Sequence, residues 1–206
     1  KQLNYQPNIM ARSQVKRMKL NFAVIIPHQT HDGGYWKLPA GGIRQAQYEL
    51  QHLQVNVEFF YFDKFSPDSF LEAGRNALTS EPEGLLLAPV QEEAARQFLN
   101  PIPDTMPVVF IDSDIPDLPC PSVIHQASLN SGCVAGKLMH MAIKEPATLG
   151  IIRFLPNTFH IDQRAEGFRH YFSKQSGYQI ICQNIPEQST QGEIRSCIDT
   201  LIRTNE

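Results

Sequence analysis

The sequence predicts an α/β protein built on parallel sheets, and three observations carry that expectation. Strand-like segments read as continuous apolar runs, as in FAVII at 22–26, GLLLAP at 84–89 and PVVFID at 107–112. Stretches of helical periodicity separate them, so the first half reads βαβαβαβ. The same alternation then resumes between residues 131 and 203. A strand covered on both faces has no polar side to alternate with, and consecutive parallel strands need a crossover that a helix supplies.

The elements follow in order. After the strand at 22–26 comes a polar loop, then an apolar-periodic run from about Tyr35 to Leu53 that puts Ile43, Ala46 and Leu50 on one helical face. VNVEFFYF at 55–62 is the next strand, rich in β-branched and aromatic residues. SPDSFLEAGRNAL at 66–78 reads as a helix with Ser66 or Asp68 near its start to cap it. Strands at 84–89 and 107–112 flank a helix near Gln91 to Leu99. The second round is a helix from Ser131 to Ile143, a strand at Leu149–Phe154, a helix from Ile161 to Lys174, a strand at Tyr178–Ile185 and a helix from Gln191 to Arg203. Two strands make a thin sheet, so further chain is expected after Glu206.

Composition fits a globular protein and removes several classes of function. The 206 residues are 42% hydrophobic, enough for one large core or two small ones. No window reaches the roughly 18 consecutive apolar residues of a membrane span. Even LGIIRFL at 149–155 carries Arg153 and runs into Pro156. Residues 1–19 lack the apolar segment of a secretory signal, so a cytoplasmic location with no membrane partner is expected. Cys120, Cys133, Cys182 and Cys197 lie 13, 49 and 15 positions apart with no CxxC pair, which favours reduced thiols over bridges or zinc ligands.

The net charge of −3 conceals an asymmetry. Lys1, Arg12, Lys16, Arg17 and Lys19 give the first 19 residues a charge of +5, and the remaining 187 carry −8. A short basic arm ahead of an acidic body fits contact with phosphate or another anionic surface, and fits a solvated linker equally well.

In open parallel sheets ligands meet the chain beyond the carboxyl ends of the strands. Those positions hold HQTHDGGYW at 28–36, Pro89 to Glu93, Asp112 to Asp114, and PNTFHIDQR at 156–164. Tyr and Trp beside Asp and Arg suit a polyol: the rings cover apolar C–H faces, while carboxylate and guanidinium take hydroxyls in paired hydrogen bonds. Packing of Tyr35 and Trp36 on the sheet, and a turn-capping role for Asp112, are the alternatives. His28, His31 and Asp32 have ligand chemistry but lack a second cluster, so no metal is expected. There is no GxGxxG, no GxxxxGK[ST] and no GxSxG, so neither a nucleotide cofactor nor an enzyme is expected.

The opening stretch LNYQPNIMARS resembles the end of the DNA-binding headpiece and the hinge helix of the lactose-repressor (LacI) family of transcriptional regulators. Leu3, Tyr5, Pro7, Asn8, Ala11, Arg12 and Ser13 carry the match. It continues through FAVIIP, Tyr35 and Trp36, GLLLAP, PVVFID, QASLNSGCVAGKLM at 126–139 and NTFHIDQRAEGFRHYF at 157–172.

That resemblance implies a regulatory body like a type I periplasmic sugar-binding protein, with two parallel-sheet α/β subdomains. Residues 1–20 would be the hinge after a helix-turn-helix headpiece, 21–125 the N-terminal subdomain, and 126–206 a linker with part of the C-terminal one. Tyr35 and Trp36 match the aromatic pair that stacks on the effector, Asp112 an acid that bonds its hydroxyls, and Arg164 the arginine before the glycine-aromatic run. Tyr5, Pro7, Asn8, Ala11, Arg12 and Gln14 belong to the hinge, which lies in the DNA minor groove while the headpiece reads the major groove. The implied partners are a small carbohydrate effector, operator DNA and a second copy of the chain. Effector binding would close the subdomains and change how paired hinges fit a palindromic site. The runner-up is a stand-alone sugar-binding transport protein, against which the hinge motif speaks.

Three departures from the family pattern matter. Gln14 falls where the minor-groove wedge is leucine. Ser113 stands beside Asp112 where some relatives carry arginine. Ala127 and Ser128 replace an Asp-Asn pair after the linking strand.

Overall fold

The computed structural model describes residues 19–118, 122–155 and 158–205. Tyr5, Pro7, Asn8, Ala11, Arg12 and Gln14, expected to belong to a hinge, lie outside them. The strands are β1 (Leu20–Pro27), β2 (Val55–Phe62), β3 (Gly84–Leu87), β4 (Val108–Ile111), β5 (Ser122–Ile124), β6 (Thr148–Leu155) and β7 (Gln179–Pro186). The helices are α1 (Lys37–Glu49), α2 (Pro67–Thr79), α3 (Glu92–Leu99), α4 (Ser128–Ala142), α5 (Phe159–Phe172) and α6 (Gln191–Arg203). One sheet has the order β2-β1-β3-β4-β5 and a second pairs β6 with β7. The β1/β2, β4/β5 and β6/β7 pairings are parallel, as the continuous apolar runs predict.

The chain divides into two compact units, one running to Leu86 and including Ile102–Pro107, the other made of Leu87–Pro101 and the chain from Val108 onward. In the first, β1 pairs with β2 from Leu20 opposite Val55 to Pro27 opposite Phe62. Ala23, Val24, Ile25 and Ile26 are fully buried. Burying each of the larger three contributes about 1.5–3 kcal/mol before entropy is charged against it. Phe62 meets Phe70 of α2 edge to face at 4.9 Å. Ser66 rather than Asp68 is the cap of α2: its Oγ accepts from the Ser69 amide at 3.2 Å, with Pro67 in the first turn.

In the second unit, Ala94, Ala95, Phe98 and Leu99 form the buried face of α3, and Phe110 and Ile111 the core of β4. Helices α4 and α5 pack through Gly132, Gly136 and Gly167, where no side chain holds the backbones apart. His140, Tyr171, Phe172 and Tyr178 form an aromatic cluster, with His140 Nδ1 3.0 Å from the Tyr171 hydroxyl. A capping box between Thr190 and Glu193 starts α6.

Several expectations need adjusting. The run from Tyr35 to Leu53 is α1 followed by a separate 3-10 turn at Gln51–Leu53: the helix stops at Leu50, which leaves helical angles at φ −91° and ψ 6°, and left-handed Gln54 at φ 58° ends the turn. Its buried residue is Ala40; Ile43 is half-buried, and Ala46 and Leu50 are exposed. The strand expected at 84–89 ends at Leu87, and α4 starts at Ser128 rather than Ser131. Strand β5 lies where the family resemblance implies a linking strand before Ala127; its three residues carry too little periodicity to register by themselves.

Candidate functional site

The carboxyl end of β1 leads into a compact turn in the first unit. Asp32, Gly33 and Gly34 have φ of 53°, 62° and 90°, three successive left-handed residues that reverse the chain ahead of α1. Gly fits such angles freely, and Asp tolerates them better than most residues. The Tyr35 amide donates to the Asp32 carbonyl at 3.2 Å, and the Gly34 amide to the His31 carbonyl at 2.9 Å. Trp36 is 1% exposed and Tyr35 39% exposed, their rings edge to face at 5.3 Å. The Trp36 indole N–H donates to Asp32 Oδ2 at 2.9 Å, and the other carboxylate oxygen accepts from Lys64. The aromatic pair is therefore unequal: Trp36 is the buried member, and Tyr35 shows a face to solvent.

The two histidines that precede Asp32 behave differently. His28 Nδ1 lies 3.0 Å from Thr30 Oγ1, and His31 Nε2 lies 3.6 Å from Asp63 Oδ1. Among the described residues no three His, Cys, Asp or Glu side chains gather to hold a metal. Likewise, no helix among them is long and apolar enough to cross a membrane.

In the second unit, β4 runs into Asp112, which has φ 71° and whose amide donates to the Ile124 carbonyl of β5 at 2.9 Å. A non-glycine residue in this region costs energy, and such residues concentrate where a side chain must be aimed. Its Oδ2 stands 3.9 Å from Nε2 of His160, in the first turn of α5, and both side chains are mostly buried, 17% and 13% exposed. Thr158 Oγ1 is 3.1 Å from His160 Nδ1. Arg164, one turn further along α5, donates to Gln126 Oε1 at 3.0 Å. Arg153 of β6 donates to Asp162 Oδ1 at 2.5 Å and to Asn184 Oδ1 at 3.1 Å, tying α5 to both strands.

The positions that depart from the family pattern also have places here. Ser113 is buried beside Asp112, and Ser128 is buried with Oγ donating to the Gln126 carbonyl at 3.3 Å. With Ala at 127, α4 begins without a side-chain cap. A cavity of about 170 Å³ opens next to this cluster, lined in part by His125, Leu129, Phe159, His160 and Gln163.

Sequence reasoning thus located the two strand ends but not their partners. His160 lies four residues before Arg164 in α5, a spacing that puts both on one helical face, whereas Asp32 reaches Trp36 through a left-handed turn that no helical period describes. Gln126 and Lys64 carried no such signal.

The fold and its strand-end loops define an open parallel α/β protein of the type that meets ligands at the carboxyl ends of its strands. The chain belongs to the periplasmic binding protein family, whose domain model matches residues 22–206. No curated protein matches it. Among solved structures it is similar to a candidate LacI transcriptional regulator from Bacteroides fragilis, at 23% identity and TM-score 0.77 over 91% of this chain and 66% of that one. It also resembles a glucose-galactose binding protein from Geobacillus stearothermophilus, at 21% identity and TM-score 0.70 over 91% and 65%. A third is a carbohydrate transporter solute binding protein from Agrobacterium radiobacter in complex with D-arabinose, at 17% identity and TM-score 0.69 over 91% and 64%. The chain spans less than two thirds of the length of each of these structures.

Proposed function

We propose that this chain is the regulatory body of a ligand-responsive, DNA-binding transcriptional regulator of the LacI kind, with a small carbohydrate as effector. The observation that carries the ligand half is Asp112: a carboxylate held at a costly backbone angle at the end of β4, with His160 beside it. A group fixed in this way loses little freedom when it accepts hydrogen bonds from a polyol. Arg164 is the second polar contact, and Tyr35, with its ring exposed and backed by Trp36, supplies the stacking face. Residues 21–125 and 126–206 serve as the two subdomains.

The regulatory half rests on the hinge residues Tyr5, Pro7, Asn8, Ala11, Arg12 and Gln14 and on the basic arm that contains them. The likeness to the Bacteroides fragilis protein supports it. In this reading the protein is a cytoplasmic homodimer that binds operator DNA, needs no cofactor or metal and catalyses nothing. A stand-alone sugar-binding transport protein is the second reading, favoured by the likeness to the two carbohydrate-binding proteins.

Titration of D-arabinose, D-glucose and D-galactose into the full-length protein, following Trp36 emission and melting temperature, tests the ligand half. Trp36→Phe serves as the control for any other tryptophan. A saturable shift lost in the control supports carbohydrate binding, and no response to a wider sugar panel refutes it. Selection from a random DNA duplex pool separates the readings: recovery of one palindromic site marks a regulator, and no enrichment marks a transport protein.

A further inference from the structure

We propose that Asp32 is the positioning residue of the aromatic pair, its carboxylate holding the loop after β1 and the loop after β2 as one rigid shelf under Tyr35. One oxygen accepts from the Trp36 indole at 2.9 Å, and the other accepts from Lys64. Each partner is anchored separately. Trp36 is almost fully buried, and its carbonyl accepts from the Ala40 amide at 3.2 Å as α1 begins. Lys64 is 11% exposed at its side chain, and its ammonium lies 5.0 Å from the centre of the Phe65 ring.

Lys64 also belongs to a turn that is rigid in its own right. The Ser66 amide donates to the Asp63 carbonyl at 3.0 Å, the Phe65 amide to Asp63 Oδ1 at 3.0 Å, and the Asp63 amide to Ser69 Oγ at 3.0 Å. This turn runs directly into the Ser66 cap of α2. Through Asp32, the segment that presents Tyr35 is therefore fastened to the start of a second helix.

The backbone shows why a carboxylate is used. Asp32 sits at φ 53° and is followed by two left-handed glycines, a sequence with little intrinsic preference for one conformation. Charge-assisted hydrogen bonds to two anchored groups select one arrangement from the many that such a turn can adopt. A buried indole N–H left without an acceptor would raise the energy of that arrangement. The Tyr35 ring, edge to face with Trp36, is placed as a result.

For its effect on ligand binding this inference rests on the carbohydrate reading of Tyr35; for the role of Asp32 it rests on the geometry alone. The test compares full-length wild type, Asp32→Ala and Asp32→Asn by hydrogen exchange at the Trp36 indole N–H, assigned by NMR with Trp36→Phe, and by affinity for whichever of D-arabinose, D-glucose or D-galactose binds. Loss of one such hydrogen bond predicts exchange about tenfold faster in Asp32→Ala, with sugar affinity weakened by about tenfold. Asp32→Asn keeps an oxygen within reach of the indole, so its exchange should stay within about threefold of wild type. Should Asp32→Ala fail to fold, Asp32→Gly removes the carboxylate while relieving the left-handed angle. Exchange unchanged on removal of the carboxylate overturns the positioning role. Faster exchange with unchanged affinity overturns its importance for ligand binding. If wild type binds no sugar, only the carbohydrate reading fails, and the exchange comparison still decides what Asp32 does.

Discussion

A Cβ on Gly132 of α4 would fall far inside contact distance of the Arg164 carbonyl oxygen of α5, and 2.9 Å from the amide nitrogen of Phe168. The relation is reciprocal, since a Cβ on Gly167 would press equally hard on the Leu129 carbonyl and lie 3.0 Å from the Cys133 nitrogen. Cys133 Sγ adds a hydrogen bond to the Gly167 carbonyl at 3.2 Å. The helix that carries His160 and Arg164 is therefore placed by backbone-to-backbone contact, which gives way far less than a flexible side chain.

Gly132→Ala and Gly167→Ala should each lower the unfolding free energy by about 2–3 kcal/mol, at the upper end of overpacking costs. Gly192→Ala in α6 is the control. Nothing lies within 4 Å of a Cβ there, and helix propensity favours alanine, so it should be neutral or stabilising by up to about 1 kcal/mol. Denaturant titration of the three variants, read by helical circular dichroism, checks both expectations.

Asp112→Gly separates a strained binding residue from a structural one. Glycine accepts φ 71° without penalty, so the melting temperature should hold or rise. Sugar affinity should fall by more than tenfold, because the hydroxyl acceptor is gone. A loss of stability with binding intact would instead assign Asp112 to a turn.

Glu193 gives α6 a pH dependence of known sign. Its carboxylate accepts from the Thr190 amide at 2.7 Å and from the Thr190 hydroxyl at 2.8 Å. The backbone hydrogen bond and then the side-chain one hold its pKa below the ordinary value of 4.5. A depressed acid stabilises the fold above the unfolded pKa and loses that contribution as pH falls through the folded value. Protection of the first amides of α6 should therefore be steady at neutral pH and decline in acid below pH 4.5. In Glu193→Gln the acid-dependent part should vanish, as amide exchange across an acid titration would show.

Gln14 stands where the hinge resemblance calls for an apolar wedge. Sliding an amide between base pairs strips its water without assured partners, whereas leucine loses nothing comparable. Gln14→Leu in the full-length protein should increase the bend of its operator, measured by circular permutation mobility or by energy transfer between labelled duplex ends. An unchanged angle would remove position 14 from the wedge.

The sequence by itself determined the parallel α/β fold, because apolar runs such as Ala23–Ile26 and helical periods such as that of 66–78 encode burial locally. It also determined which strand ends carry aromatic and polar groups, since those residues follow directly from the strands that present them. Only the tertiary structure decided that Trp36 is buried on Asp32 while Tyr35 faces solvent, because adjacent residues with like periodicity cannot reveal which ring a turn directs inward. It alone brought Lys64 to Asp32, 32 positions away, and Gln126 to Arg164, 38 away. Arg153, which reads as an interruption of an apolar strand, found its purpose the same way, in the carboxylate of Asp162. Such pairs are set by chain topology and by the need to satisfy polar groups taken out of water, and neither leaves a local mark on the sequence.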